Sequence, residues 1–256
     1  MTPPLLVARD ALVFFGINAQ GMLKQDELFR FMESTGPQWW LPVSGMTRER
    51  FWTSRRHSLM ARTSTVRILE GGCRPSEKVT VEHEITHGRR ARGHRAPEYG
   101  FIDELRVRRD RDGLVVADLV SHTTWIDFGD GVPKVAAAPP EGLDCPLEEL
   151  PPPAPMPTAG EGLAEGLFRW TPRECDFTNQ HVSFPRYVER AENALADAGL
   201  ALPARPVWQG WYRADFKAGE PTTVATSRGD DGALVFAFSG PDDLRPRVWV
   251  RLTDSA

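Results

Sequence analysis

The residues best suited to chemistry in this sequence form a short polar cluster directly before a helical pattern. The cluster reads Glu-Cys-Asp-Phe-Thr-Asn-Gln-His-Val over residues 174–182, and a helical stretch follows from Phe184 to Ala198. A weaker version, Asn-Ala-Gln-Gly-Met-Leu, occupies residues 18–23 and precedes a helical stretch to Thr35. Only the later copy carries a histidine, His181. The repetition indicates a duplicated domain with one chemically competent half and one structural half.

His181 and Asn179 could together act on a carbonyl group. A histidine at a helix start lies near the partial positive charge of free backbone N–H groups, which favours the neutral imidazole. A neutral imidazole can accept a proton from water or orient a carbonyl, and an asparagine amide can donate a hydrogen bond to a developing oxyanion. The competing interpretation is a capping loop with a surface histidine, and the pattern alone leaves both open.

A second motif, from His83 to His87, matches the zinc-protease pattern His-Glu-x-x-His. That chemistry needs a helix, which brings the two imidazoles onto one face. Here the surrounding residues alternate between apolar and polar with many β-branched side chains, which predicts a strand. In a strand the two histidines lie about 13 Å apart, too far to share one zinc ion. The sequence therefore predicts no metal site here.

Two further groups are candidates for binding. The basic run that contains Arg89, Arg90 and Arg92 could dock an acidic protein or bind phosphate groups. The alternative is a solvated hairpin whose arginines are balanced by nearby acids. Trp211 belongs to a set of tryptophans that could line an acyl or polyketide tunnel, or could fill the core.

Composition limits the possible classes of protein. The chain has 256 residues, enough for one large domain or two smaller ones, and a formal net charge of −4, which does not indicate nucleic acid as a partner. The three cysteines are widely spaced and contain no Cys-x-x-Cys pair, so they indicate neither a disulfide framework nor a thiolate zinc site. No apolar run of membrane-spanning length and no signal-peptide pattern occurs, so we expect a cytoplasmic protein.

The order of elements predicts an α+β fold built from two similar halves. The first half, residues 7–135, begins with an apolar strand at Leu12–Phe15, continues with a helix that Gly36-Pro37 ends, and then has four strands. Residues 136–165 are rich in proline and alanine and are predicted to be a linker. The second half, residues 166–256, repeats the order with a strand from Leu167, a helix closed by Gly199, and further strands.

At this point the sequence resembles a known family. Asn179-Gln180-His181-Val182, followed by Tyr187 on the helix, resembles the signature of acyl-acyl-carrier-protein thioesterases. These are double hotdog proteins, in which two hotdog domains occur in one chain, each with a long helix packed on a curled antiparallel sheet. The first half, with its cluster at residues 18–23 and its strands, is similar to the family's first hotdog domain, so the resemblance covers nearly the whole chain.

The resemblance implies roles for individual residues. His181 and Asn179 match the family's histidine and asparagine, whereas Phe177 stands where the family has an aspartate and Asp176 lies one residue earlier. Ser183 replaces the asparagine that follows valine. The family's acidic residue on the strand after the helix corresponds to Asp215, which would activate water or attack directly. The acidic partner of His181 is therefore either Asp176 or Asp215.

These observations predict a thioester hydrolase that acts on acyl or polyketide chains carried on acyl carrier protein or coenzyme A, with no cofactor. A hotdog dehydratase, cyclase or isomerase that uses His181 and a carboxylate, with Asp26 and Glu27 as candidates, is the first alternative. A non-catalytic acyl-binding protein is the second. We expect a monomer or homodimer.

Overall fold

The computed structural model describes residues 5–12, 16–19, 21–43, 57–92, 95–129, 131–140, 146–175 and 180–255, with the backbone alone at residues 33, 36–43, 92 and 95. The chain divides into two compact units. The first comprises Met1–Arg62 and Glu70–Pro153, and the second comprises Thr63–Leu69 and Ala154–Ala256. Asn179 and Asp176 lie outside the described residues. The domain bounds 7–135 and 166–256 stay a prediction.

The first unit is a largely antiparallel sheet with one helix. Its elements are β1 Leu5–Ala11, α1 Gln25–Val43, β2 His57–Ile68, β3 Lys78–Arg92, β4 Arg95–Arg109, β5 Val115–Asp127, and the two-residue strands β6 Lys134–Val135 and β7 Glu148–Glu149. The strand order is β1-β3-β4-β5-β2, and β1–β3, β3–β4 and β4–β5 pair antiparallel. On the buried face of this sheet, Ile85, Phe101 and Trp125 pack together with Ala136.

The second unit repeats this strand order. Its elements are β8 Glu161–Arg169, a 3-10 helix Pro172–Glu174, α2 Pro185–Asp197, β9 Pro206–Tyr212, β10 Pro221–Arg228, β11 Leu234–Ser239 and β12 Val248–Asp254. The order is β8-β10-β11-β12-β9, and residues 63–67 of β2 pair with β9. In each unit the first strand is therefore followed in space by the third, fourth, fifth and second.

Helix α2 forms where the sequence predicts it and for the predicted reasons. Pro185 occupies its first turn, where a missing N–H group has no cost. Tyr187, Val188 and Leu195 are buried on one face. The helix ends at Gly199, whose φ of 68° allows its N–H to bind the Ala196 carbonyl and that of the next residue to bind the Leu195 carbonyl.

Helix α1 runs further than the sequence predicts. The expected stop at Gly36-Pro37 is wrong, because the helical backbone continues to Val43. Proline removes one backbone hydrogen bond and strains the preceding turn, but its φ is compatible with a helix. The helix therefore passes through the pair.

Both first strands begin earlier than predicted. The strand expected at Leu12–Phe15 is instead β1 at Leu5–Ala11, and residues 13–15 lie outside the described part of the chain. Strand β8 begins at Glu161, inside the segment predicted to be a linker, rather than at Leu167. Leu163 and Leu167 are 41% and 77% exposed, so β8 has no buried apolar face to signal it. Backbone hydrogen bonds to β10 form it instead.

The turn predicted at residues 229–232 joins β10 and β11, and its Gly229 N–H and Gly232 N–H bind carbonyls within the turn region.

Among the described residues, no helix is long and apolar enough to cross a bilayer. The cytoplasmic location stays a prediction.

Buried histidines in the first unit make its stability sensitive to acid. Burial lowers the pKa of His87 to about 4, and burial together with the charge of Arg90 lowers that of His122 to about 4. Because the pKa is lowered in the folded state, a neutral histidine contributes its full stabilisation above the unfolded-state pKa of about 6.5, and this contribution is lost as the pH falls toward 4. From the His87 shift alone, lowering the pH from 8 to 5 should reduce the free energy of unfolding by about 2 kcal/mol.

His87→Leu removes this contribution, so the stability of the variant should decline less between pH 8 and 5 than that of the wild type. Urea unfolding of both proteins at the two pH values measures the difference. Equal losses of unfolding free energy in the two proteins would contradict the assignment of His87 as a buried neutral group.

Candidate active site

A closed loop presents His181 directly before α2. Cys175 and Val182 form an isolated antiparallel bridge, and the Ser183 N–H donates to the Glu174 carbonyl at 2.9 Å. The Glu174 carboxylate accepts hydrogen bonds from the Thr171 N–H and hydroxyl and from Arg190. Although burial raises the pKa of Glu174, these hydrogen bonds and the Arg190 charge outweigh it, and the net shift is downward. An ionised Glu174 thus ties the loop entrance to α2.

His181 lies close to Asp215, which follows strand β9. The distance from His181 Nε2 to Asp215 Oδ2 is 3.9 Å, and the side chains are 24% and 49% exposed. The Val182 N–H donates to the Phe216 carbonyl at 2.8 Å, and His181 forms a bridge with Lys217, so two backbone contacts hold the two segments together. At 3.9 Å the pair exceeds hydrogen-bond length, which is common for catalytic groups before substrate binds.

The surroundings of His181 favour one tautomer. Its Nδ1 lies 3.5 Å from the Val182 carbonyl oxygen, at the long limit of a hydrogen bond. A carbonyl can only accept, so in this contact the proton is on Nδ1, and Nε2 is the ring nitrogen that lies toward Asp215. The pair therefore presents an imidazole and a carboxyl group to the same half-exposed space.

Arg247 fixes the backbone of Asp215. Its guanidinium donates to the Asp215 carbonyl at 3.0 Å, and Glu220 and Asp243 bind the same guanidinium at 2.6 and 2.7 Å. It also lies over the Phe216 ring, 4.5 Å from the centroid. The carboxylate itself remains accessible while its main chain is held.

An aromatic layer lies behind the pair. Trp170, Tyr187 and Phe216 are almost fully buried, with centroid separations of 5.1 Å between Trp170 and Tyr187 and 6.0 Å between Trp170 and Phe216. Burial, and then the Asp215 charge, raises the pKa of Tyr187 well above its usual value. The neutral Tyr187 on α2 is therefore electrostatically coupled to Asp215.

Tyr212 extends this layer along β9. Its hydroxyl binds the Ser64 hydroxyl at 2.8 Å, and burial raises its pKa despite that bond. The side chain runs back over Gly210, where an added Cβ would overlap the Tyr212 hydroxyl. Glycine at position 210 is thus required for this packing.

The predicted binding residues lie in different environments. Arg89 is exposed. Arg90 is buried, and it donates to the Pro151 carbonyl at 2.9 Å, to Glu98 at 3.2 Å and to His122 at 3.1 Å. The side chain of Arg92 lies outside the described residues. A buried guanidinium cannot reach a carrier protein without rearrangement, so of the two described side chains only that of Arg89 is available.

Trp211 lies on the face of the second sheet that packs with Val235 and Trp249. It is 5% exposed, and its indole N–H donates to the Ala154 carbonyl at 2.9 Å. The side chain is satisfied within the core, so a role in substrate binding stays a prediction.

The first unit contains a buried histidine–aspartate pair that no sequence pattern indicates. His83 Nε2 lies 3.0 Å from Asp103 Oδ1, and His83 Nδ1 lies 2.7 Å from the Thr35 hydroxyl. Because Thr35 donates to the Phe31 carbonyl at 2.7 Å, His83 Nδ1 must carry a proton. Burial raises the pKa of Asp103, although the hydrogen bond to His83 opposes this. Alternation along β4 could have placed Asp103 on the buried face, with Phe101 and Leu105.

The zinc-protease pattern lies on strand β3, as its alternation predicts. His83 is bound to Thr35 and Asp103 rather than directed to a shared ion with His87. Within the described part of the chain, no cluster of three or more histidine, cysteine or acidic residues has metal-binding geometry.

The first unit contains a loop that is closed by a similar bridge and has no histidine in its sequence. Ile17 and Leu23 form the bridge that Cys175 and Val182 form in the second unit. Two residues before the bridge ends, the backbone is left-handed in both loops, with φ of 74° at Gly21 and 60° at Gln180. Met22 therefore occupies the position of His181. This correspondence supports the prediction that the first half is structural.

Comparison with solved structures identifies the fold. The chain is similar to an acyl-ACP thioesterase from Bacteroides thetaiotaomicron, with 12% identity, a TM-score of 0.68, and coverage of 97% of this chain and 96% of that one. A 12:0-ACP thioesterase from Umbellularia californica gives 14% identity, a TM-score of 0.63, and coverage of 97% and 96%. The chain has the hotdog fold of these proteins.

A MaoC-like dehydratase from Phytophthora capsici is also similar, with 12% identity, a TM-score of 0.51, and coverage of 100% of this chain and 97% of that one. No family model matches the sequence. No curated protein matches it either. At these sequence identities the structural similarity establishes the fold alone. The reaction has to be inferred from the residues of the site.

Proposed function

We propose that this protein is a double hotdog thioesterase that hydrolyses acyl or polyketide thioesters of acyl carrier protein or coenzyme A. The observation that carries the proposal is the His181–Asp215 pair, a basic nitrogen and a carboxylate 3.9 Å apart in a half-exposed position. The likeness in fold to acyl-ACP thioesterases over nearly the whole chain supports it.

The proposed reaction needs one water molecule shared by the pair. His181 Nε2 accepts a proton from this water as its oxygen bonds to the thioester carbon, and Asp215 orients the water and stabilises the imidazolium. Collapse of the tetrahedral intermediate breaks the carbon–sulfur bond, and His181 returns the proton to the departing sulfur. The products are a free thiol and a carboxylic acid.

Three parts of the prediction are carried forward as proposals. Asn179 is proposed to donate to the oxyanion. Asp215 is preferred over Asp176 as the acidic partner, because the Asp215 carboxylate lies within 3.9 Å of His181. Exposed Arg89 is proposed to contact the acidic carrier or its phosphates.

A hotdog dehydratase is the second candidate, because the MaoC-like dehydratase shares the fold and a histidine–carboxylate pair suits elimination of water. Of the acids predicted for that reaction, Glu27 is buried and bound to Arg30 at 2.7 Å. A non-catalytic acyl-binding protein would retain ligand affinity in His181→Ala without turnover in either protein.

Intact mass spectrometry of the carrier protein distinguishes these candidates. The purified protein is incubated with acyl and 3-hydroxyacyl carrier proteins and with the matching coenzyme A thioesters. Hydrolysis converts the acylated carrier to its free-thiol form, whereas dehydration of the hydroxyacyl carrier lowers its mass by about 18 Da. We expect the free-thiol form. Unchanged masses with every thioester would contradict both enzymatic functions.

A further inference from the structure

Gln180 has a backbone conformation that its residue type disfavours. Its φ of 60° lies in the left-handed region, which costs a residue with a Cβ about 1–2 kcal/mol relative to glycine. The described residues contain one other non-glycine residue with positive φ, Ser76, in the turn that precedes β3. Gln180 differs from it in its location, directly before His181.

The first unit makes the same backbone conformation with glycine. Gly21 has φ of 74° and occupies the position of Gln180 in the corresponding loop, where Met22 replaces His181. In the loop that carries His181, the large polar residue Gln180 thus adopts the strained conformation. In the loop that lacks the histidine, Gly21 adopts the same conformation without strain. Strain of this kind persists at functional sites, where the side chain is needed.

The side chain suits one part of the proposed substrate. Gln180 is exposed, and its carboxamide can donate and accept hydrogen bonds at the same time. The pantetheine arm of an acyl carrier protein or of coenzyme A contains amides beyond the sulfur atom, and each presents one donor and one acceptor. The Gln180 carboxamide, next to His181 in the chain, can both donate a hydrogen bond to such an amide and accept one from it.

We propose that Gln180 is a specificity residue that binds the amide-bearing arm of the thioester. This inference rests on the proposed function. It assigns the residue to binding rather than to proton transfer, so its loss should raise KM and leave kcat nearly unchanged.

The test compares two thioesters of the same acid. Octanoyl pantetheine contains the amides, and the octanoyl thioester of ethanethiol lacks them. Gln180→Gly should raise KM for octanoyl pantetheine about tenfold, equivalent to about 1.4 kcal/mol of binding. It should leave kcat/KM for the ethanethiol ester unchanged. Gln180→Asn, which tolerates the left-handed conformation but has a shorter side chain, should give an intermediate KM.

Stability provides the matched control. Both Gln180→Gly and Ser76→Gly relieve a left-handed residue, so each should raise Tm by about 2–4 °C. Only Gln180→Gly should change KM. Equal KM values for the wild type and Gln180→Gly with octanoyl pantetheine, or equal losses with both esters, would overturn the proposal.

Failure of the proposed function is distinguishable from failure of this inference. Octyl pantetheine thioether cannot be hydrolysed, and its binding can be measured by calorimetry whether or not the protein turns over thioesters. Affinity for the thioether should fall about tenfold in Gln180→Gly. An unchanged affinity would overturn the role of Gln180, even if the wild type hydrolysed octanoyl pantetheine.

Discussion

His181→Ala is expected to reduce kcat for thioester hydrolysis by about 10²–10⁴-fold, the contribution of a positioned general base. His181 Nε2 lies 3.9 Å from Asp215 Oδ2, and attack by water in the proposed reaction needs a group that takes the proton from the water. Steady-state thiol release from an acyl-carrier-protein substrate, with far-UV circular dichroism as a check on folding, measures the effect.

Asp215→Asn tests the second member of the pair. Asparagine retains the size of the side chain but removes the charge that stabilises the imidazolium, so kcat should again fall by about 10²-fold or more. The double variant should be scarcely slower than His181→Ala, because residues that act as a unit are not additive. Asp230→Asn, in the exposed turn between β10 and β11, is the matched control and should retain wild-type kcat. Retention of activity in His181→Ala would refute the assignment of the site.

Trp170→Ala is expected to lower the free energy of unfolding by about 3–5 kcal/mol, the range for loss of a fully buried aromatic side chain. Trp170 is 1% exposed and contacts Phe168, Tyr187 and Phe216 with centroid separations of 4.8, 5.1 and 6.0 Å. The Arg190 guanidinium lies over it at 5.7 Å. The substitution thus opens a cavity where β8, α2 and the segment that carries Asp215 converge.

Urea unfolding monitored by circular dichroism measures this loss. Trp170→Phe, which retains an aromatic ring in the same layer, should lose distinctly less stability than Trp170→Ala. A loss below about 1 kcal/mol in Trp170→Ala would show that the layer relaxes around the gap, contrary to the close packing that the structure indicates.

Much of the second unit could be predicted from its sequence, because the local signals agree with the tertiary structure. Helix α2 combines an apolar face with a proline at its start and Gly199 at its end, and the turn at residues 229–232 has glycine at both ends. In the first unit, residues 79–87 of β3 alternate strictly between buried and partly buried side chains, because one face of the strand is buried. In each case a single interpretation satisfies both the pattern and the packing.

The differences arise where backbone pairing, rather than side-chain burial, determines the structure. Strand β8 is exposed on both faces, so its residues carry no alternating pattern, and its position is fixed by pairing with β10. Helix α1 continues through Pro37 although local propensity predicts a stop. In β8 and in this part of α1, the secondary-structure propensities of the residues do not indicate the element that forms.

The site was predictable in part. His181 stands out as the histidine of the second polar cluster, and Asp215 followed from the family resemblance; the two side chains lie 3.9 Å apart. The buried pairing of His83 with Asp103 does not follow from the sequence patterns. Contacts between distant strands decide such pairs, and single-strand periodicity shows the face but not the partner.

Hydrolysis at the His181–Asp215 pair is tested most directly by a single turnover of acyl carrier protein in ¹⁸O-labelled water with the enzyme in excess. Direct attack by the water held between His181 and Asp215 predicts release of the carrier thiol together with a carboxylic acid that contains one ¹⁸O atom in the first turnover. An unlabelled acid would instead indicate attack by the Asp215 carboxylate itself, and no thiol release above the protein-free rate would contradict the thioesterase function.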